Sequence, residues 1–158
     1  MKVFLSYSLK EDPLVNEIAN AISPHAEVFY WEQSQTPGEP VWDSIYRWID
    51  NSDLVLAIIT DNTVSRAMSV GQEIGHAKAR GKLIIPLVTS EVKISDLGFL
   101  SEITYQRIDP INPEPALAKV VHRIQEHKQQ MLIKNLSITV GIVILVFGLI
   151  VVATQDTE

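Results

Sequence analysis

"DLVLAIIT", residues 53–60, is the stretch on which the fold turns. Its centre, residues 54–59, is apolar at every position, so no side chain alternates toward water. Such a run predicts a strand covered on both faces, the environment of a central strand in a parallel sheet. Upstream, "PVWDSIYRWID" (residues 40–50) carries Trp42, Ile45 and Ile49 at i, i+3 and i+7, one stripe of a helix. Before it come a strand, "EVFYW" (27–31), a helix over about 13–22, and a first strand, "KVFLSY" (2–7). Downstream, "SVGQEIGHAKARGK" (69–82) reads as a short helix, with Ala67, Val70, Ile74 and Ala77 at helical spacing. Lys78 and Arg80 suit the negative end of its dipole, and Gly81 supplies a stop. "KLIIPLV" (82–88) predicts a fourth strand, with Pro86 placed near its end because proline cannot donate to a sheet ladder. "ITYQRI" (103–108) predicts a fifth, weaker strand, and Leu117, Val120, Val121, Ile124 and Met131 predict a helix after Pro113.

Asp12-Pro13, Glu39-Pro40 and Asn112-Pro113 each set an acidic or amide side chain before a proline suited to a first helical position. Ser8 and Glu11 offer an alternative capping box at the first helix. Five strands alternating with helices predict an α/β fold, a doubly wound parallel sheet with right-handed crossovers. One common strand order in this class is 2-1-3-4-5. Its ligand crevice opens at the carboxyl ends of strands one and three, where the connections diverge. The first strand runs into "SYSLKED" (6–12), and the third leads into the helix that carries Glu73. A glutamate on an arbitrary helix is ordinarily solvated. On this topology Glu73 is expected beside the crevice instead.

The 158 residues suit one domain and an appendage. From residue 136 to 153, "LSITVGIVILVFGLIVVA" holds no charge and would make about 27 Å of helix, close to a ~30 Å hydrocarbon core. Buried helices of soluble domains are seldom apolar on every face, so the run predicts a transmembrane helix. Arg123, Lys128 and Lys134 precede it, which orients the N-terminal part toward the cytoplasm and leaves a short tail outside. No long apolar stretch opens the sequence, so no signal peptide is expected. The expected organisation is a domain over 1–125, a helical juxtamembrane linker over 126–135, a membrane-spanning helix over 136–153 and a tail over 154–158. Gly141 and Gly148 would share one face of the span, a place for close helix packing. The absence of cysteine excludes disulfides and a thiolate nucleophile. A net charge of −6 argues against nucleic-acid binding. No His, Asp or Glu cluster has metal spacing, so no metal is expected.

"KVFLSYS" at the first strand, "TPGEPVWDSIYRWIDNSDLVLAIIT" through the middle and "QEIGHAKARGKLIIPLV" after it together resemble a prokaryotic Toll/interleukin-1 receptor (TIR) domain over roughly residues 1–125. The resemblance implies a five-stranded flavodoxin-like fold. It also implies that "SQTPGEP" (34–40) is the loop that helps assembly and gates the pocket. Many prokaryotic relatives cleave NAD+ at the nicotinamide–ribose bond, and their essential glutamate lies in a segment like "QEIGHA". Carried over, the catalytic role falls on Glu73. The implied activity is that of a membrane-held NAD+ nucleosidase or ADP-ribosyl cyclase-type hydrolase, with NAD+ as substrate and no cofactor. It would act in antiviral defence by NAD+ depletion or by making an ADP-ribose-derived signal. The implied partners are NAD+, further TIR domains through self-association and another defence-system protein, and the apolar run over 136–153 adds the lipid bilayer.

The remaining pocket candidates each carry two readings. Ser6, Tyr7, Ser8 and Lys10 follow the first strand, where relatives contact the nucleotide, and equally supply turn and cap chemistry. Trp31 and Trp42 are placed either to stack on a base or to fill the core. Ser65 is placed either to reach the ribose or to cap the helix, and His76 is expected in solvent. Enzymatic relatives often carry tryptophan where this chain has Ser69, and the first strand lacks the acidic residue of receptor-type members. An alternative is a non-catalytic TIR adaptor acting through TIR–TIR association, with Glu73 at a surface or interface. A phosphoacceptor receiver domain fits less well, because Glu11-Asp12 lies too far beyond the first strand.

Overall fold

In the computed structural model, residues 1–7, 13–30, 41–61, 67–100 and 103–155 are described. Strand β1 (Lys2–Ser6) leads to α1 (Pro13–Ile22), β2 (Glu27–Tyr30), α2 (Val41–Asn51) and β3 (Leu54–Ile59). Helix α3 (Ala67–Ala79), β4 (Leu83–Thr89), a 3-10 segment (Ile94–Leu100), β5 (Gln106–Ile108) and α4 (Glu114–Gln155) follow. The strands form one parallel sheet, as the alternation of elements predicts, and its order is β2-β1-β3-β4-β5, the common order expected for this class.

All six residues of β3 are buried, which is the physical content of its unbroken apolar run. Phe4, Val55, Ala57 and Ile59 present one face, and α2 and α3 cover it with Ile45, Ile49, Val70, Ile74 and Ala77. The alternate residues Val3, Leu5, Leu54, Leu56 and Ile58 point to the opposite face and are equally buried. That face belongs to α1, because β2 lies on the other side of β1 from β3 and a right-handed crossover to it must pass behind the sheet. Leu14, Val15, Ile18, Ala19 and Ile22 form the buried stripe of α1.

Helix α3 ends as its sequence predicts. Gly81 adopts φ 65°, the Lys82 amide donates to the Ala77 carbonyl (3.0 Å) and the Gly81 amide to Lys78 (3.0 Å), a Schellman cap. Two details differ from expectation. Pro86 lies in the middle of β4, paired with Ala57, rather than near the strand's end. It is tolerated because β5 pairs only with Leu87, Val88 and Thr89, so β4 has a neighbour on one side alone at the proline. β5 itself is short, Gln106–Ile108. Ile103 and Tyr105 are not in the strand and instead pack against the cluster of Ala57, Ile59 and Val88.

The chain divides into two compact units, Met1–His122 and Arg123–Glu158. In the second, α4 stays helical to Gln155, Arg123 pairs with Glu126 (3.1 Å), and Leu132, Ile133, Leu136 and Ile138 are exposed. Among the described residues no helix is long and apolar enough to cross a membrane. The span expected over 136–153 therefore gains no support from the structure, since its side chains from Thr139 onward lie outside the described residues.

Candidate functional site

Glu73 lies on α3 between residues that anchor the helix. Val70, Ile74 and Ala77 are buried against the sheet, which leaves Glu73 half-buried at the margin of that contact. Its Oε2 accepts a hydrogen bond from the hydroxyl of Ser6. Ser6 is the last residue of β1, is 4% exposed, and pairs in register with Ala57 of β3. The hydroxyl must be the donor, because an ionised carboxylate can only accept. This contact sets the carboxylate at the carboxyl end of β1, beside β3. There the chain leaves β1 toward one face of the sheet and β3 toward the other, the switch point at which open α/β sheets bind ligands. Tyr7 follows Ser6 directly, Thr60 and Asp61 follow β3, and Ser69 stands one turn before Glu73, half-buried.

A second set of contacts holds α3 against α2. The His76 ring stacks on Tyr46, with centroids 4.2 Å apart and planes 18° apart. Its Nε2 lies 2.9 Å from Asp50 Oδ1, and Arg80 Nε lies 3.1 Å from the same oxygen. Lys82 Nζ donates to the carbonyls of Asp50 and Ser52, 2.7 Å each, closing the C-terminal end of α2. The expectation that His76 faces solvent is thus corrected. Three residues along a helix is about 60° short of a full turn, so His76 lies near the Glu73 side and meets α2.

Trp42 is also corrected as a core residue. Ile45 and Ile49 are buried as the stripe predicts, but Trp42 at the start of α2 is 37% exposed, its ring 5.8 Å from Tyr46. Trp48 takes the packed position instead, 4.9 Å from the Phe29 ring, against the cluster of Phe4, Ile45 and Val55. Of the other candidates, Ser6 and Tyr7 are at the carboxyl end of β1 with Glu73. Ser8, Lys10, Trp31, Ser65 and the loop 34–40 lie outside the described residues. Thr60 and Asp61 were not singled out from the sequence, although their place directly after the most apolar strand marks them as crevice-mouth residues. Asp50 and Tyr46 carry no sequence signal of their contact with His76. Among the described residues no group of three His, Asp or Glu could hold a metal ion.

A family model of the TIR domain matches residues 3–121, most of the chain. The chain belongs to the TIR-domain family. The TIR domains of the activated Roq1 resistosome superpose with a TM-score of 0.62 at 13% identity, over 78% of this chain and 98% of theirs. A prokaryotic SEFIR domain superposes at 0.57 with 18% identity, covering 78% and 97%. The CMP N-glycosidase BcmB of Clostridium botulinum superposes at 0.53 with 22% identity, covering 76% and 98%. At these identities the likeness is one of fold. No curated protein matches the chain in sequence. The five-stranded order β2-β1-β3-β4-β5 is thus a TIR-domain sheet, and the Glu73–Ser6 contact sits at the switch point of that TIR fold.

Proposed function

We propose that this TIR domain is an NAD+ glycohydrolase that cleaves the bond between nicotinamide and ribose. The observation that carries the reading is the hydrogen bond from Ser6 to Glu73, which holds an acidic side chain at the carboxyl ends of β1 and β3. The chemistry suits one carboxylate. In NAD+ the leaving group is a pyridinium, so the C1′–N1 bond breaks with its electron pair passing to the ring nitrogen, and neutral nicotinamide departs without prior protonation. Charge then develops on the ribose as an oxocarbenium. The Glu73 carboxylate stabilises it and orients the ribose hydroxyls, where ordinary glycosides call for two carboxyl groups. Water adds to C1′ and loses a proton, giving ADP-ribose, nicotinamide and one proton overall. The fold neighbours support the class of bond. One is named a CMP N-glycosidase, and another is a 2-deoxyribosyltransferase of Bacillus psychrosaccharolyticus applied to nucleoside synthesis; the scissile bond of NAD+ is likewise an N-glycoside.

The enzyme is anchored by a single membrane span over 136–153, with the TIR domain on the cytoplasmic side, a reading that rests on the uncharged apolar sequence and the preceding Arg123, Lys128 and Lys134. Clustering in the bilayer favours TIR–TIR self-association, and the setting is immune or antiviral signalling in which the ADP-ribose product acts directly or through another defence-system protein.

The test incubates the full chain in lipid vesicles with NAD+ and identifies products by mass spectrometry, beside Glu73→Ala. The parent is expected to release nicotinamide and the variant to lose most turnover while keeping its fold. Equal release by both would refute the role of Glu73. Intact NAD+ in both, with self-association lost in the variant alone, would establish the adaptor instead. The anchor is tested separately: the full chain is expected to stay with membranes under alkaline carbonate, and a chain ending at residue 135 to be released.

A further inference from the structure

We infer that Ser6 is a positioning residue: its hydroxyl holds the Glu73 carboxylate in one orientation at the mouth of the β1/β3 crevice. Three polar side chains are buried among the described residues, Ser6, Ser52 and Thr89. Ser52 donates to the Ile49 carbonyl (2.8 Å) and Thr89 to the Ile59 carbonyl (3.4 Å), each satisfying its hydroxyl on nearby backbone. Ser6 differs. Its hydroxyl reaches a carboxylate 67 residues away in sequence, on another element. Alanine would fill a strand position as small as this one, so packing gives no reason for the oxygen. The bond joins a side chain with several freely rotating torsions to one rooted in the middle of a paired sheet, where Ser6 stands in register with Ala57. Two consequences follow. A hydrogen bond donated to the ionised form favours that form and lowers the carboxyl pKa. Removing rotamer freedom before substrate arrives keeps the carboxylate in the reactive arrangement.

The kinetic part of this inference rests on the NAD+ glycohydrolase reading; the electrostatic part does not. Both are tested on the full chain in detergent micelles with side-chain carboxyl 13C labelling, using Glu73→Gln to assign the Glu73 resonance. Tyr7 beside Ser6, Asp61 beyond β3 and His76 on α3 are common to every variant, so a shift between variants reports Ser6. Ser6→Ala is expected to raise the Glu73 titration midpoint by about one pH unit, and Ser6→Thr, which keeps the hydroxyl, to retain the parent value. Ser6→Cys, close to serine in volume with a weak donor, is expected to raise it in the same direction and serves should the alanine variant unfold. With NAD+, Ser6→Ala is expected to lower kcat at least about tenfold with KM within about twofold, and to move the acid limb of the pH profile upward with the midpoint. An unchanged Glu73 midpoint in Ser6→Ala, or in Ser6→Cys where that variant is used, overturns the inference whatever the activity. A shifted midpoint in a chain that releases no nicotinamide supports Ser6 as the positioning residue and refutes the enzymatic reading alone.

Discussion

Replacing Ile74 with alanine asks whether the packing beneath α3 is what keeps Glu73 at the crevice. Ile74 is 3% exposed and lies in a cluster with Ala57, Ile59, Val70, Val88, Val92, Leu97 and Leu100. The substitution removes three carbons, which at about 0.8 kcal/mol per methylene gives about 2.4 kcal/mol of lost transfer free energy. A cavity left by rigid neighbours adds about 1–2 kcal/mol more, at roughly 24 cal/mol per Å³, so the expected loss is about 3.5–4.5 kcal/mol. Here the neighbours are rigid: Ala57, Ile59 and Val88 are strand residues, and Val70 is on α3 itself. Urea unfolding followed by tryptophan fluorescence reads the loss directly, because Trp48 packs on Phe29 at 4.9 Å and changes environment when α2 leaves the sheet. Leu132→Ala, at a site 62% exposed, serves as the control and is expected to change stability by less than about 0.5 kcal/mol. A loss under about 1 kcal/mol for Ile74→Ala would mean that α3 is held chiefly by its contacts with α2, and the account of how Glu73 is placed would fail.

Two glycines, one inside α3 and one just past its end, carry predictions of opposite sign. A β-carbon would meet nothing within 4 Å at either Gly75 or Gly81, so conformation alone decides. Gly75→Ala, inside α3, is expected to stabilise by about 1 kcal/mol. Gly81→Ala, at φ +65°, is expected to destabilise by about 1 kcal/mol, and a shared sign in the two urea midpoints would contradict the assignment of the helix stop. Arg107 donates through Nη1 to the carbonyls of Thr89 and Val92, 2.8 Å each, and lies 5.2 Å from the Tyr105 ring. Arg107→Ala is expected to cost about 1–2 kcal/mol and to speed proteolysis between residues 90 and 100, since the turn after β4 loses its clasp; an unchanged cleavage pattern would count against it.

The sheet was readable because its determinants are local. The apolar run of β3, the 3.6-residue stripe through Ile45 and Ile49, and the Lys78–Gly81 ending of α3 each act within a few residues, and each appears where its pattern places it. The alternation of elements predicted a parallel sheet with right-handed crossovers, and the order 2-1-3-4-5, expected as a common one for this class and implied by the TIR resemblance, is the order observed. Pro86 was misplaced because proline's effect depends on which neighbours a strand has, and the shortness of β5 is not encoded in β4. The stripe through Ile45 and Ile49 includes Trp42, and only the docked helix shows that Trp42 at its start stays exposed while Trp48 packs on Phe29. The loop 34–40 and the candidates Ser8, Lys10, Trp31 and Ser65 lie outside the described residues and stand on the sequence reading alone.

By itself the sequence determined that the chain makes a parallel α/β sheet, that Glu73 follows the third strand, and that an uncharged apolar stretch follows the domain. These are properties of spacing and composition. Only the tertiary structure decided that Ser6 donates to Glu73 and that Asp50 and Tyr46 engage His76. A side-chain hydrogen bond or ring stack between distant segments requires a separation of a few ångströms. That separation exists only once the strands have paired and the helices have docked.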